Sequence, residues 1–360
     1  MTGPGGAGTV GAMPHAHILL GTYEGAAYLP ELLLSIQGQT ARNWTLWARD
    51  DDSRDSSLEI VRRAAAADPR ICVFEGDGGR LGPAGNYGAL LQRAQQAGAE
   101  YFFFADQDDV WLPDKLEKQM EVFEREERGG QGRVGPLPRL VYSDMLLADE
   151  RLRPLGPSFL AGSRLRHGEG RPMATLLGRN FVPGCACGFN RPVAELALPM
   201  PDAIASPDWW VALCAVAIGR ISFLPEATVR YRRHAGTVSG PAAFWSGLNP
   251  LRYSWRQRWR TGLDHFRRSL CQARTLRDRL RERGAEADEV FAMLDRFCGV
   301  FAEPEAAWRR IGRLRRLGIP AIDRTRRLCY YLCVLRLGRE AVLGSPQAAC
   351  LPAASADCRK

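Results

Sequence analysis

Tyr101-Phe102-Phe103-Phe104-Ala105-Asp106-Gln107-Asp108-Asp109 passes from five apolar residues straight into a cluster of acids. An unbroken apolar run ending abruptly in acids reads as a strand buried on both faces, with its tip emerging at an edge. Three segments upstream repeat the pattern. Residues 17–20 (His17, Ile18, Leu19, Leu20) form a short apolar strand, and Leu29, Leu32, Leu33 and Ile36 then recur at helical spacing until Gly38. Residues 44–48 give a second strand that runs into Arg49-Asp50-Asp51-Asp52-Ser53. Leu58, Ile60 and Val61 begin a second helix, which Pro69 closes. Residues 71–74 and 83–97 supply a third strand and a third helix, the helix with Pro83 in its first turn. Strands alternating with helices predict an α/β fold, a parallel sheet covered on both faces. Sheets of that kind bind ligands at the carboxyl ends of their strands. Thr22-Tyr23-Glu24, Asp50-Asp51 and Asp106-Gln107-Asp108 all fall there.

Carboxylates crowded at one strand end repel one another unless a cation neutralises them. Hard divalent ions, Mg²⁺ or Mn²⁺, prefer oxygen ligands and keep coordination positions open for phosphates. The plain alternative for Asp106-Gln107-Asp108-Asp109 is a solvated turn, with Asp109 or Asp114 capping the next helix. Asp50-Asp51-Asp52 has a plain alternative too, a polar loop with Ser53 or Asp55 as the cap.

The rest of the chain sets bounds. With 360 residues, 46% hydrophobic and 25% charged, it is a folded protein rather than a disordered one. Residues 1–15 read as a flexible leader, 16–243 as the main domain and 244–360 as a basic helical region. Gly3-Pro4-Gly5-Gly6-Ala7-Gly8 has dinucleotide-binding spacing, but no strand precedes it to aim backbone amides at a pyrophosphate. The ten cysteines show no zinc-type pairing: Cys185 and Cys187 are too close, and Cys329 and Cys333 lack histidine partners. Reduced thiols and no signal peptide predict a cytoplasmic protein. The longest apolar runs, 209–218 and 328–335, fall short of the roughly 20 residues that cross a bilayer. The net charge of +9 is concentrated beyond residue 252. Two readings of residues 309–339 stand side by side: a peripheral contact with anionic lipid, or helices packed on the main domain.

Taken in order, the motifs resemble the family-two inverting glycosyltransferases, in particular their rhamnosyltransferase-like branch. The matching segments are Thr22-Tyr23-Glu24-Gly25, Gln39-Thr40, Asp50-Asp51-Asp52-Ser53-Arg54-Asp55, Leu81-Gly82 through Asn86, and Phe104-Ala105-Asp106-Gln107-Asp108-Asp109-Val110-Trp111. Pro183-Gly184-Cys185, Asp208-Trp209-Trp210 and Tyr231-Arg232-Arg233-His234 complete the set, which covers roughly residues 16–240. The resemblance implies a GT-A fold, with 16–124 as its nucleotide-binding half and 140–243 as its acceptor half, followed by a C-terminal helical appendage. It implies that Thr22, Tyr23, Glu24, Asn86 and Gln107 line the nucleotide sugar and that Asp51 binds the base. Asp106 would contact the ribose or the metal, Asp108 and His234 would ligate Mg²⁺ or Mn²⁺, and Asp208 would be the general base. Trp209 and Trp210 would flank the acceptor. One departure is Asp52, which stands where the family usually has glycine.

The expected reaction moves a sugar, rhamnose by resemblance, from a dTDP- or UDP-linked donor to a glycan or lipid-linked acceptor, without nucleic acid. The alternatives are a nucleotidyltransferase and a noncatalytic nucleotide- or glycan-binding module. The first usually carries a Gly-rich loop and a lysine where this chain has Thr22-Tyr23-Glu24. The second would have no use for Asp208 as a base.

Overall fold

The computed structural model describes residues 13–75, 79–128, 136–156, 158–160, 170–234, 255–285, 288–302, 305–320, 327–328 and 330–335, without the side chains of 255–262 and 265. The Gly-rich leader through residue 12, Cys329, and residues 321–326 and 336–339 of the basic segment lie outside the described residues.

One eight-stranded sheet forms the centre, in the order β3-β2-β1-β4-β7-β6-β8-β5. Its strands are β1 Ala16–Thr22, β2 Trp44–Asp50, β3 Ile71–Val73, β4 Tyr101–Asp106, β5 Val110–Trp111, β6 Arg139–Ala148, β7 Cys187–Asn190 and β8 Arg220–Arg232. The first four in the chain pair in parallel, as the alternation predicts. Beyond β4 the sheet becomes mixed: β7 runs antiparallel to β4 and β6, β6 and β8 are parallel, and β5 is antiparallel to β8.

Alternation along the strands divides the core between the two faces of the sheet. Ile18, Leu20, Phe103 and Ala105 join Leu32, Leu33 and Ile36 on one side. Leu19, Phe102 and Phe104 point to the other, against Leu90 and Leu91. Helices α1 Leu29–Gln37, α2 Ser57–Ala67, α3 Gly82–Gln96 and α4 Lys115–Arg128 cover these faces. At the β4–β7 pairing Gly188 stands opposite Phe103, and a Cβ there would lie 2.4 Å from its ring. Glycine is what lets the aromatic strand and β7 meet.

The second half adds α5 Pro172–Leu176, α6 Arg191–Ala197 and α7 Pro207–Ile218, then α8 Trp255–Glu282, α9 Glu289–Gly299 and α10 Ala307–Leu317. Leu263, Phe266, Leu270, Ala273, Leu276 and Leu280 recur at helical spacing on α8 and are buried in the same core as α7. The Arg279 guanidinium lies 5.0 Å above the Trp210 ring, and Arg279 also donates to the Leu196 carbonyl. The α8 helix is thus packed on the sheet-bearing part of the chain. Among the described residues no helix is long and apolar enough to cross a membrane, and seven cysteines are free thiols.

Register positions the site. Thr22 is level with Asp50, and Gly21 with Asp106, so three parallel strands present their tips along one edge.

Candidate active site

At the β1–β2 corner Thr22 donates its hydroxyl to Asp50 at 2.7 Å, and the Ser53 amide and hydroxyl donate to the same carboxylate. Asp51 follows, 3% exposed. Its carboxylate accepts from Arg49 at 3.0 Å and from the backbone amides of Leu81 and Gly82 at 2.7 and 2.8 Å. Arg49 in turn reaches Asn86 and the Gly79 carbonyl. Asp51 and Asn86 were expected to touch the nucleotide; instead both are buried, holding the loop after β3 against β2. Their oxygens are occupied by Arg49 and two amides, so they shape the rim rather than face outward. Asp52 has φ +67, a left-handed conformation that aspartate tolerates better than most residues. That conformation is why a glycine-type position admits Asp here.

Tyr23 and Gln107 bind each other across the β1 and β4 tips. The Tyr23 amide donates to Gln107 at 2.9 Å, and Gln107 donates back to the Tyr23 carbonyl at 2.8 Å. A Cβ on Gly25 would sit 2.2 Å from the Gln107 side-chain oxygen, so this join requires glycine beside it. Glu24 accepts from the Arg54 amide, and its own amide donates to Ser53. The Gln107 and Glu24 side chains therefore tie loops together, while the Tyr23 ring stays exposed with the Arg80 guanidinium 3.9 Å above it.

The acidic cluster lies next door. Burial first, then the charges of Asp108 and Asp208, pushes the Asp106 carboxyl up; a hydrogen bond from Tyr87 opposes the shift. Burial, Asp108 and Asp106 push Asp109 far up as well. Asp109 is fully buried, accepting the Arg232 amide at 3.0 Å on one oxygen while the other lacks a hydrogen-bond partner. Asp108 is half-buried, and its Oδ2 lies 2.9 Å from His234 Nε2. Tyr28 packs against His234 with ring centroids 4.8 Å apart and the planes tilted by 42°, and it donates its hydroxyl to Glu150 at 2.7 Å.

Two sets of donors lie where a divalent ion could bind. Asp106, Asp109 and Cys185 bring ligand atoms within 4.8 Å of one another. Burial keeps the Cys185 sulfur a neutral thiol, a poor partner for a hard ion, and Asp109 is sealed from solvent. The Asp108–His234 pair suits Mg²⁺ or Mn²⁺ better: a carboxylate and an imidazole, both partly exposed. Asp106, expected as a further ligand, is grouped with Asp109 rather than with this pair.

Asp208 enters from the other half of the sheet. Ser206 occupies the N-cap and Pro207 the first helical position, so Asp208 is in the first turn of α7 rather than capping it. Burial pushes its carboxyl up, against hydrogen bonds from Ser206, from the Trp209 amide and from Asn180, which donates at 2.7 Å. Trp209 and Trp210 correct an expectation. They are 1% and 0% exposed, and their indole N–H groups donate to the carbonyls of Leu176 and Ala197. Neither ring offers a face to an acceptor; both are core.

Sequence reasoning missed Arg232. It is 2% exposed and donates to the Asp108 carbonyl at 2.8 Å, the Glu150 carbonyl at 2.6 Å and the Glu31 carboxylate. It joins α1, the β4 tip and the end of β6. The available signal was its spacing two residues before His234, which places both on one side of an extended chain. Lys115 was missed too. It is wholly buried, hydrogen-bonded to Gln119 and 4.4 Å from the Trp111 ring, and burial lowers it to about 8.

Residues 18–145 match Glycosyl transferase family 2, a span running from β1 into β6 and holding both acidic corners. The likeness to family-two glycosyltransferases thus falls on the first half of the sheet, and the mostly parallel sheet flanked by helices expected from the sequence is the one observed. The chain is 35% identical over 108 residues to an uncharacterized glycosyltransferase of Haemophilus influenzae, covering 30% of this chain and 42% of that one. It is 29% identical over 103 residues to the dTDP-rhamnosyl transferase RfbG of Shigella flexneri, covering 28% and 36%. The chain thus spans less than half the length of these relatives. Among solved structures, S. aureus TarS 1-349 in complex with UDP-GlcNAc aligns with TM-score 0.48 and 16% identity over 91% of this chain and 93% of that one.

Proposed function

We propose that the chain is an inverting glycosyltransferase using a nucleotide diphosphate sugar, with Asp208 as general base. The observation that carries this reading is the turn before β7: the Cys185 sulfur lies within 4.8 Å of the Asp106 and Asp109 carboxylates, and a Cβ on its neighbour Gly184 would lie 3.2 Å from the Asp208 Cβ. Groups suited to donor and to acceptor thus lie close together, in keeping with the upward push that Asp108 and Asp208 add on Asp106. A Mg²⁺ or Mn²⁺ ion at Asp108 and His234 would supply positive charge to the departing diphosphate. The Tyr23 ring and Arg80 form an exposed platform for the base and phosphates, on the loop that Asp51 holds. Asp208 takes the proton of an acceptor hydroxyl. The oxygen then bonds to the anomeric carbon as the bond to the diphosphate oxygen breaks on the opposite face, and the configuration inverts. A carboxyl raised by burial is a stronger base than one in water, which suits this role.

A pyrimidine nucleotide and rhamnose are favoured by the resemblance and by the relative named as a dTDP-rhamnosyl transferase. A glycan or lipid-linked acceptor follows from the resemblance alone. Asp208→Asn tests the assignment. Transfer should fall by about 10²–10⁴-fold while nucleotide affinity stays within a factor of a few. Undiminished turnover would exclude Asp208 as the base, and no turnover by the wild type on any donor, with nucleotide binding intact, would favour a binding module.

A further inference from the structure

The α10 helix reads Ala307-Trp308-Arg309-Arg310-Ile311-Gly312-Arg313-Leu314-Arg315-Arg316-Leu317, with five arginines and no acid. Arg310 and Leu314 are buried, whereas Arg309, Arg313, Arg315 and Arg316 face outward. Trp308 is 68% exposed, with the Arg309 guanidinium 5.1 Å above its ring. Beyond it, residues 327–328 and 330–335 are helical. Leu328, Leu332 and Leu335 are all exposed there, and their spacing of four and three sets them on one stripe. Tyr330 and Val334 are buried on the opposite side. The two segments adjoin: Tyr331 donates to the Ile319 carbonyl at 3.3 Å, and its phenol senses both Arg315 and Arg327.

We propose that this leucine stripe, together with the outward arginines of the adjoining α10, is a docking surface for an anionic phospholipid bilayer. Charge selects the occupant. Apart from Arg313, which reaches Glu305, the outward arginines of α10 have no acid on their own helix to satisfy them. Exposed arginines on one helix and exposed leucines on the segment adjoining it match the layering of headgroups over acyl chains. A second copy of the chain fits worse, because a two-fold contact would set arginine against arginine. The surface is independent of the sugar-transfer chemistry, so either proposal can fail without the other.

Co-flotation of the full chain with vesicles tests it, using phosphatidylcholine alone and phosphatidylcholine mixed with phosphatidylglycerol. Binding is expected only to the mixed vesicles and should weaken with salt. Replacing Arg315 and Arg316 together by Gln should lower partitioning roughly 30-fold. Leu332→Ser should lower it as well, and unchanged thermal melting of both variants would show that the fold is intact. Equal binding to neutral vesicles, no flotation at all, or unaltered partitioning of both variants would overturn the proposal. So would a concentration-dependent dimer, seen by sedimentation, that Leu332→Ser dissolves.

Discussion

Asp108 Oδ2 lies 2.9 Å from His234 Nε2, which joins the tip of β4 to the chain just beyond β8. Sheet order makes the meeting possible, since β4 and β8 are separated only by β7 and β6. Tyr28 fixes the imidazole from the opposite side, its ring packed on His234 and its hydroxyl held by Glu150. Groups that orient a ligand in this way typically influence metal affinity about 10–100-fold. Tyr28→Ala should therefore weaken Mn²⁺ binding, followed by electron paramagnetic resonance, by about that factor, and Tyr28→Phe by less. Equal affinity in Tyr28→Ala and wild type would mean that the ring does not position His234.

Arg232 should matter more for folding than for chemistry. Its guanidinium is buried and bonded to two carbonyls and the Glu31 carboxylate, and its own amide holds Asp109. Glu31 is about half exposed, so removing its partner leaves no buried bare charge on that side. The part-buried carbonyls of Asp108 and Glu150 would still lose a charged donor, at roughly 1–2 kcal/mol each. Arg232→Met is expected to lower stability by about 2–4 kcal/mol in urea unfolding. A loss under about 1 kcal/mol would show that the network contributes little.

The His17–Trp47 pair gives the fold a pH dependence. His17 Nδ1 accepts the Trp47 indole N–H at 3.0 Å, so the ring must stay unprotonated there. Burial, then the neighbouring His15, lowers His17 from 6.5 to about 4. Between those values the unfolded chain binds a proton that the folded chain refuses, so stability falls as pH drops through the window. Asp106 and Asp109, raised in the folded state, work in the opposite sense, so the informative quantity is a difference. On going from pH 7 to pH 5 the urea midpoint of the wild type should shift downward relative to that of His17→Gln. Parallel midpoints would contradict the burial of a neutral imidazole.

The strand tips were legible in the sequence because apolar runs ending in acids leave little choice of burial. The α1 helix and the first four strands fall where periodicity sets them. The use made of each acid was harder to read. Asp51 is consumed by the amides of Leu81 and Gly82, contacts that depend on how the loop after β3 folds back. Trp209 and Trp210 looked like acceptor contacts because they follow Asp208, yet every residue from Trp209 to Ala217 on α7 is buried. A helix buried all round has no stripe to show which side faces the ligand. Arg232 was hidden among neighbouring arginines, and its buried position follows from the pairing of β8 with β6 and β5.

The most direct measurement of the central claim is calorimetric titration of dTDP and UDP into wild type and Asp108→Ala, each with and without Mn²⁺. If Asp108 and His234 hold an ion that holds the diphosphate, wild-type affinity should rise at least tenfold with Mn²⁺, and the variant should lose that gain while keeping its metal-free affinity. Binding indifferent to Mn²⁺, or an equal Mn²⁺ gain in both proteins, would contradict the account.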